Sequence, residues 1–205
     1  VIGRHDRPAP APNLLPILGA THRISPAVLA AAGASRPDLA ALPRPRVAVL
    51  LGGAVRGEGM DPGAAAELVG RLLRRFPAGT VLATTSRRTG EPAANAIAAS
   101  LAGVPHRLFR WGDAEPNPYA GFLAWADAVA VTGDSVSMLA EACATGAPVL
   151  VATQEEGRHR RLVRGLVEAG LALPLHGADR AERHEPLDES GRVAAIIRSK
   201  GWLAA

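Results

Sequence analysis

The residues best spaced for ligand chemistry are Thr132, Gly133, Asp134, Ser135, Ser137 and Glu141, within the stretch Ala126–Ala152. Asp134, Ser135 and Ser137 offer side-chain oxygens suited to the start of a helix. A helix start presents free N–H groups and the positive end of its dipole, which favours an anion, and Gly133 lets a ligand approach the backbone. Glu141 follows Ser137 by one turn on the same side, where a carboxylate can accept hydrogen bonds from a ribose diol. The pattern fits plain structure equally well: glycine-turn-helix junctions occur in most α/β folds, and Asp134 would cap the helix and repel a phosphate.

Other stretches carry chemistry of the same kind. Thr85-Ser86-Arg87-Arg88-Thr89 follows an apolar run, and arginine suits phosphate because its planar fork makes paired, charge-assisted hydrogen bonds. The bland reading of this run is a solvated turn. Gly52-Gly53 ends another apolar run and opens a loop to Asp61 long enough to fold over a ligand. Its spacing with Gly57 and Gly59 is not the Gly-x-Gly-x-x-Gly dinucleotide fingerprint. Asn117-Pro118-Tyr119 reads as a capped helix start, with Asn117 the cap and Pro118 the first helical residue.

The elements that must position these residues alternate strand and helix. Ala128–Val131 reads as a buried parallel strand, and Val136, Leu139, Ala140 and Cys143 give the next helix one apolar face. Gly146 and Pro148 stop that helix before a second strand, Val149–Val151, completing a right-handed βαβ unit. Upstream, Arg46–Leu51, Thr80–Thr84 and His106–Phe109 are strands, with helices over Pro62–Phe76 and Pro92–Leu101. Downstream come a helix over Arg160–Ala169, an edge strand Leu171–Leu175, a loop His176–Asp188 and a last helix Val193–Arg198. The predicted fold class is an α/β, doubly wound parallel sheet, Rossmann-like, over residues 46–205. Residues 1–45 are rich in proline and read mostly as linker, with a short helix from Ser25-Pro26 through Ala32. His5-Asp6 reads there as an exposed polar pair on a frayed terminus.

Composition narrows the function classes. The 205 residues are 48% hydrophobic but only 3% aromatic, so Ala, Val and Leu must fill the core. The net charge of +4 is compatible with an anionic ligand or with peripheral contact at an acidic membrane. Nucleic acid is disfavoured, because aromatics are too scarce for a stacking platform and there is no basic tract. A single cysteine, Cys143, excludes a disulfide framework and a cysteine metal site, and His176 and His184 lack partners at ligand spacing. Neither a metal nor a cofactor is expected. No apolar run has the length of a membrane span, and the start lacks the order of a signal peptide, so a cytoplasmic or membrane-peripheral location is expected. The first residue, Val1, reads as a sign that something N-terminal was lost or never included.

Ser137, Glu141-Ala142, Gly146 and Pro148 together resemble the signature of the C-terminal domain of GT-B glycosyltransferases. More narrowly, Trp125–Ala128 and Val131–Ala142 resemble the mitochondrial fission protein family named for elongated mitochondria, which also has many bacterial members. His5-Asp6, Asn13, Gly19-Ala20, His22–Pro26, Gly52-Gly53, Ser86–Thr89 and Asn117–Tyr119 fit the same family. The resemblance implies that residues 1–45 are a linker and remnant of a missing N-terminal domain, and that 46–205 bind a nucleoside-diphosphate sugar. It implies that Ser86, Arg87, Ser135 and Ser137 hold the diphosphate, with Arg88 and Thr89 beside them. Gly52-Gly53 would admit the sugar phosphate, Asn117 and Tyr119 would meet the nucleobase, and Glu141 the ribose. GT-B transfer takes place between two domains, so this chain is expected to be incomplete for catalysis. The alternative is a non-catalytic adaptor that recruits a protein partner through the same fold. A nicotinamide-dependent enzyme lacks its fingerprint.

Overall fold

A computed structural model describes residues 1–53, 59–152, 157–177 and 182–202. The prolines that suggest a linker over residues 1–45 instead punctuate short docked elements. β1 (Ile2–Gly3) pairs in parallel with β2 (Pro16–Ile17), and between them lies a 3-10 turn, η1 (Arg4–Asp6). Helix α1 (Pro26–Ala34) starts at Ser25, whose Oγ accepts the Val28 N–H at 3.3 Å. Helix α2 (Pro37–Ala40) follows. Pro26 and Pro37 each occupy a first helical turn, where a missing N–H costs nothing, so they start helices rather than break them. Ile17 and Leu39 are fully buried, and His5 is only 5% exposed, so the segment belongs to the packed body and His5 is no frayed residue.

The first residues are also tied to the last helix, α8 (Glu189–Ser199). Leu18 N–H donates to Glu189 Oε1 at 2.7 Å, and Arg192 Nη2 donates to the Pro16 carbonyl at 2.8 Å. Ser190 Oγ accepts from His22 N–H at 3.0 Å and donates to the His22 carbonyl at 2.9 Å.

The body is one parallel sheet of six strands: β3 (Arg46–Leu51), β4 (Thr80–Thr85), β5 (His106–Phe109), β6 (Ala128–Val131), β7 (Val149–Val151) and β8 (Leu173–Pro174). Helices α3 (Pro62–Arg75), α4 (Glu91–Ser100), α5 (Tyr119–Trp125), α6 (Val136–Cys143) and α7 (Gly157–Glu168) connect them. Val47, Val49 and Leu51 pack against α3 and α4, whereas Ala48 and Leu50 share a core with α2, α5, α6 and α7. Covering both faces is why the central strands are continuous apolar runs.

Across the sheet the order is β5-β4-β3-β6-β7-β8, so the strands climb outward in both directions from the β3/β6 pair. This is the doubly wound order whose reversal opens a crevice at the carboxyl ends of the two central strands. Val47 to Leu50 pair with Ala128 to Val131 in register, so the two strands end within one residue of each other there.

Some boundaries moved for local reasons. α8 begins four residues before Val193 because Asp188 Oδ1 accepts the Gly191 N–H at 2.7 Å and caps it. β8 is shorter than Leu171–Leu175, since Leu171 N–H closes the end of α7 on the Leu166 carbonyl after Gly170 turns at φ +71°. Most of the loop from Gly53 to Asp61, residues 54–58, lies outside the described residues.

Candidate functional site: loops knotted at the strand reversal

At the carboxyl edge, the loops after β3, β4 and β6 bond to one another. Gly52 N–H donates to Thr132 Oγ1 and Gly53 N–H to Asp134 Oδ2, both at 2.8 Å. Thr89 Oγ1 lies 3.0 Å from the Leu51 carbonyl and 2.5 Å from that of Gly52, and it accepts the Ser86 N–H at 2.9 Å. Ser86 Oγ donates to the Gly52 carbonyl at 3.1 Å and accepts the Arg88 N–H at 3.2 Å. Arg88 closes the knot with an ion pair to Asp134 at 3.4 Å.

Gly52 and Gly53 are required by proximity. A Cβ on Gly52 would lie 2.3 Å from Asp134 Oδ2, and one on Gly53 only 1.8 Å from the Arg88 carbonyl oxygen. The structure therefore brings Gly52, Gly53, Ser86, Arg88, Thr89, Thr132 and Asp134 together, with their polar atoms engaged on each other. They lie at the strand reversal, where a doubly wound sheet opens its crevice. Asp134 does not cap α6; Ser135 does, its Oγ accepting the Met138 N–H at 3.4 Å. The Arg88 guanidinium offsets the Asp134 carboxylate, which lessens its repulsion of an anion.

Two groups at this edge have no hydrogen bond or ion pair among the described residues. Arg87 is exposed at the tip of the β4 loop, and Ser137 is exposed on the first turn of α6. Arg87 lines a small cavity of about 110 Å³ with Thr85, Ser86, Glu91, Arg110 and Trp111. Trp111 is 60% exposed, and its backbone N–H is held by Thr85 Oγ1 at 2.9 Å. Arg110 and Trp111 carried no role in the sequence reading. The available signal was a basic and an aromatic residue directly after a strand.

Tyr119 and Glu141, expected at the base and the ribose, meet each other. The tyrosine hydroxyl donates to Glu141 Oε2 at 2.5 Å. Burial first, then the Glu141 charge and this hydrogen bond, push the phenol well above its ordinary range, so it stays protonated. Asn117 Oδ1 accepts the Tyr119 N–H at 3.0 Å, steadying the start of α5 from one residue outside the cap, which Pro118 occupies in place of Asn117. Cys143 is fully buried, and burial pushes its thiol up to about 12. Among the described residues there is no cluster of His, Cys, Asp and Glu able to hold a metal, and no helix long and apolar enough to cross a membrane.

The family model described as Mitochondrial fission ELM1 matches residues 1–200. A relative from Arabidopsis thaliana, "Mitochondrial fission protein ELM1", is 34% identical over 207 residues, covering 96% of this chain and 48% of its own length. The chain thus spans about half of that relative. Among solved structures, E. coli ADP-heptose LPS heptosyltransferase II is similar at 15% identity and a TM-score of 0.49, over 94% of this chain and 56% of that one. UDP-GlcNAc 2-epimerase from Neisseria meningitidis is similar at 16% identity and a TM-score of 0.44, over 77% and 38% of the two chains. These structural likenesses stop at the general α/β arrangement and assign no residue a role.

Proposed function

The chain belongs to the mitochondrial fission ELM1 family, and from that membership and the geometry of the strand reversal we propose that it binds a nucleoside-diphosphate sugar. The observation that carries this reading is the knot itself. Three loops are tied at the one place where a doubly wound sheet opens a crevice, leaving the side chains of Arg87 and Ser137 without a hydrogen bond or ion pair among the described residues.

In this reading Arg87, Ser137 and the free N–H groups at the start of α6 hold the diphosphate, since a helix start and a guanidinium both favour an anion. Gly52 and Gly53 serve this reading indirectly, by letting Asp134 and the Arg88 carbonyl close in and fix the loops around the crevice. Tyr119 holds Oε2 of Glu141 and leaves Oε1 for the ribose diol. Asn117 and Tyr119 border the place of the base.

Calorimetric titration with uridine, adenosine and guanosine diphosphates tests the proposal. Saturable binding of at least one is expected. Arg87→Ala should weaken the diphosphate more than the parent nucleoside, because it removes a contact to phosphate only. Absence of heat with every nucleotide would sink the reading and favour the adaptor role.

A further inference from the structure

We propose that the cavity between η1 and α7 is a second oxyanion site, separate from the strand-reversal crevice, which takes a phosphate monoester carrying an apolar group. It has a volume of about 440 Å³, within the range of roughly 300–1,000 Å³ usual for small-molecule pockets. Its polar lining is strongly cationic. Arg4, Arg7 and Arg161 have no ion pair among the described residues, whereas the one acidic residue of the lining, Glu168, is already paired with Arg164 at 2.7 Å.

The local fold gathers these charges. Arg7 N–H closes a turn on the Arg4 carbonyl at 3.0 Å, and Arg7 itself sits at φ +52°, a conformation few side-chain-bearing residues adopt. That turn places both arginines on the cavity. Arg161 Nε donates to the His5 carbonyl at 2.7 Å and fixes η1 against α7. Leu18, Leu162, Gly165 and Ala169 make the remaining wall apolar.

His5 completes the wall between the arginines. It lines the cavity and its side chain is only 3% exposed. Arg158 Nη2 lies 3.2 Å from Nε2, and Arg158 also pairs with Asp6 at 3.4 Å. A guanidinium only donates, so Nε2 accepts and the hydrogen of the neutral ring is on Nδ1. Nδ1 is buried and has no hydrogen-bond partner among the described residues. Burial, which outweighs Asp6 and acts with Arg158, His159 and Arg161, lowers the imidazole pKa and keeps that tautomer neutral at pH 7. A phosphate would give Arg4, Arg7 and Arg161 a counter-charge beside this neutral ring.

The site is tested on the full chain with inorganic phosphate and phenyl phosphate, by calorimetry and by the ring-nitrogen NMR signals of His5. Phenyl phosphate should bind more tightly than inorganic phosphate and shift the His5 signals. The double variant Arg4→Gln/Arg7→Gln changes two exposed side chains and should keep the thermal melt. It should weaken both probes at least tenfold while leaving nucleoside-diphosphate binding alone. Arg87→Ala should do the reverse, so the two sites fail separately. A parallel arm with phosphatidic-acid vesicles tells a lipid head group from a soluble monoester. No saturable binding of any of these probes, or binding indifferent to the double variant, would overturn the proposal.

Discussion

Tyr119 donates its hydroxyl hydrogen to Glu141 at 2.5 Å, joining the first residue of α5 to the second turn of α6. The bond fixes the carboxylate and leaves one of its oxygens for a ligand. Glu141→Gln keeps a good helix former and should barely move the melting temperature. It should cost a ribonucleotide roughly ten- to a hundredfold in affinity, about 1.5–3 kcal/mol. A 2′-deoxy ligand should lose less. Titration of both ligands decides it, and equal affinity of the ribo ligand for variant and parent would remove Glu141 from the site.

Gly53→Ala should be among the most destabilising single-methyl changes in the chain. Its Cβ would lie 1.8 Å from the Arg88 carbonyl, so the knot must open or shift, at a cost of about 1–3 kcal/mol or more. Gly70→Ala is the contrast. It lies inside α3, and its Cβ would sit 3.5 Å from Arg74 Nη1. There the change should stabilise by roughly 0.5–1 kcal/mol. Urea midpoints of the two variants should move in opposite directions.

Stability should fall on mild acidification because of His5. Its folded pKa lies below the ordinary 6.5, chiefly through burial, so the unfolded chain binds the proton more readily. The contribution is therefore complete above about pH 6.5 and is lost as pH drops from there through the folded value. Denaturant titrations between pH 7.5 and 5.5 should show this slope, and His5→Asn should flatten it. An unchanged slope in the variant would place the titration elsewhere.

Cys143 should resist alkylation in the folded chain at pH 8. With the thiol pushed up to about 12 and no exposure, both thiolate and access are missing. Labelling should follow opening of the α6 region, so its rate should rise with urea before global unfolding. Fast labelling in native buffer would contradict the buried placement.

The sheet was legible because β3 and β6 are covered on both faces, which leaves unbroken apolar runs such as Val47–Leu51. The loops at the strand reversal were legible as positions, since Gly52, Ser86 and Thr132 each stand directly after β3, β4 or β6. What those residues do was not. Thr89 reaches back 37 residues to the Gly52 carbonyl, and Tyr119 reaches 22 residues to Glu141; no local pattern encodes either contact. The docking of residues 1–45 was hidden for another reason. Proline suppresses helix in the interior of an element yet favours its first turn, and only the partners of Pro26 and Pro37 show which applies. The burial of His5 depends on α7, more than 150 residues away in sequence.

The bonds that join Pro16–His22 to α8 span 168 to 176 residues of chain. On a ribosome adding about 5–20 residues per second, the early segment waits on the order of 10–30 s for its partners to be made. For most of that interval Leu18, which packs on the core cluster containing Leu162 and Leu166, has neither α7 nor α8 to rest on. Residues 16–22 and the helix that ties them down are therefore made far apart in time, so this segment docks late, after the sheet it leans on has been synthesised.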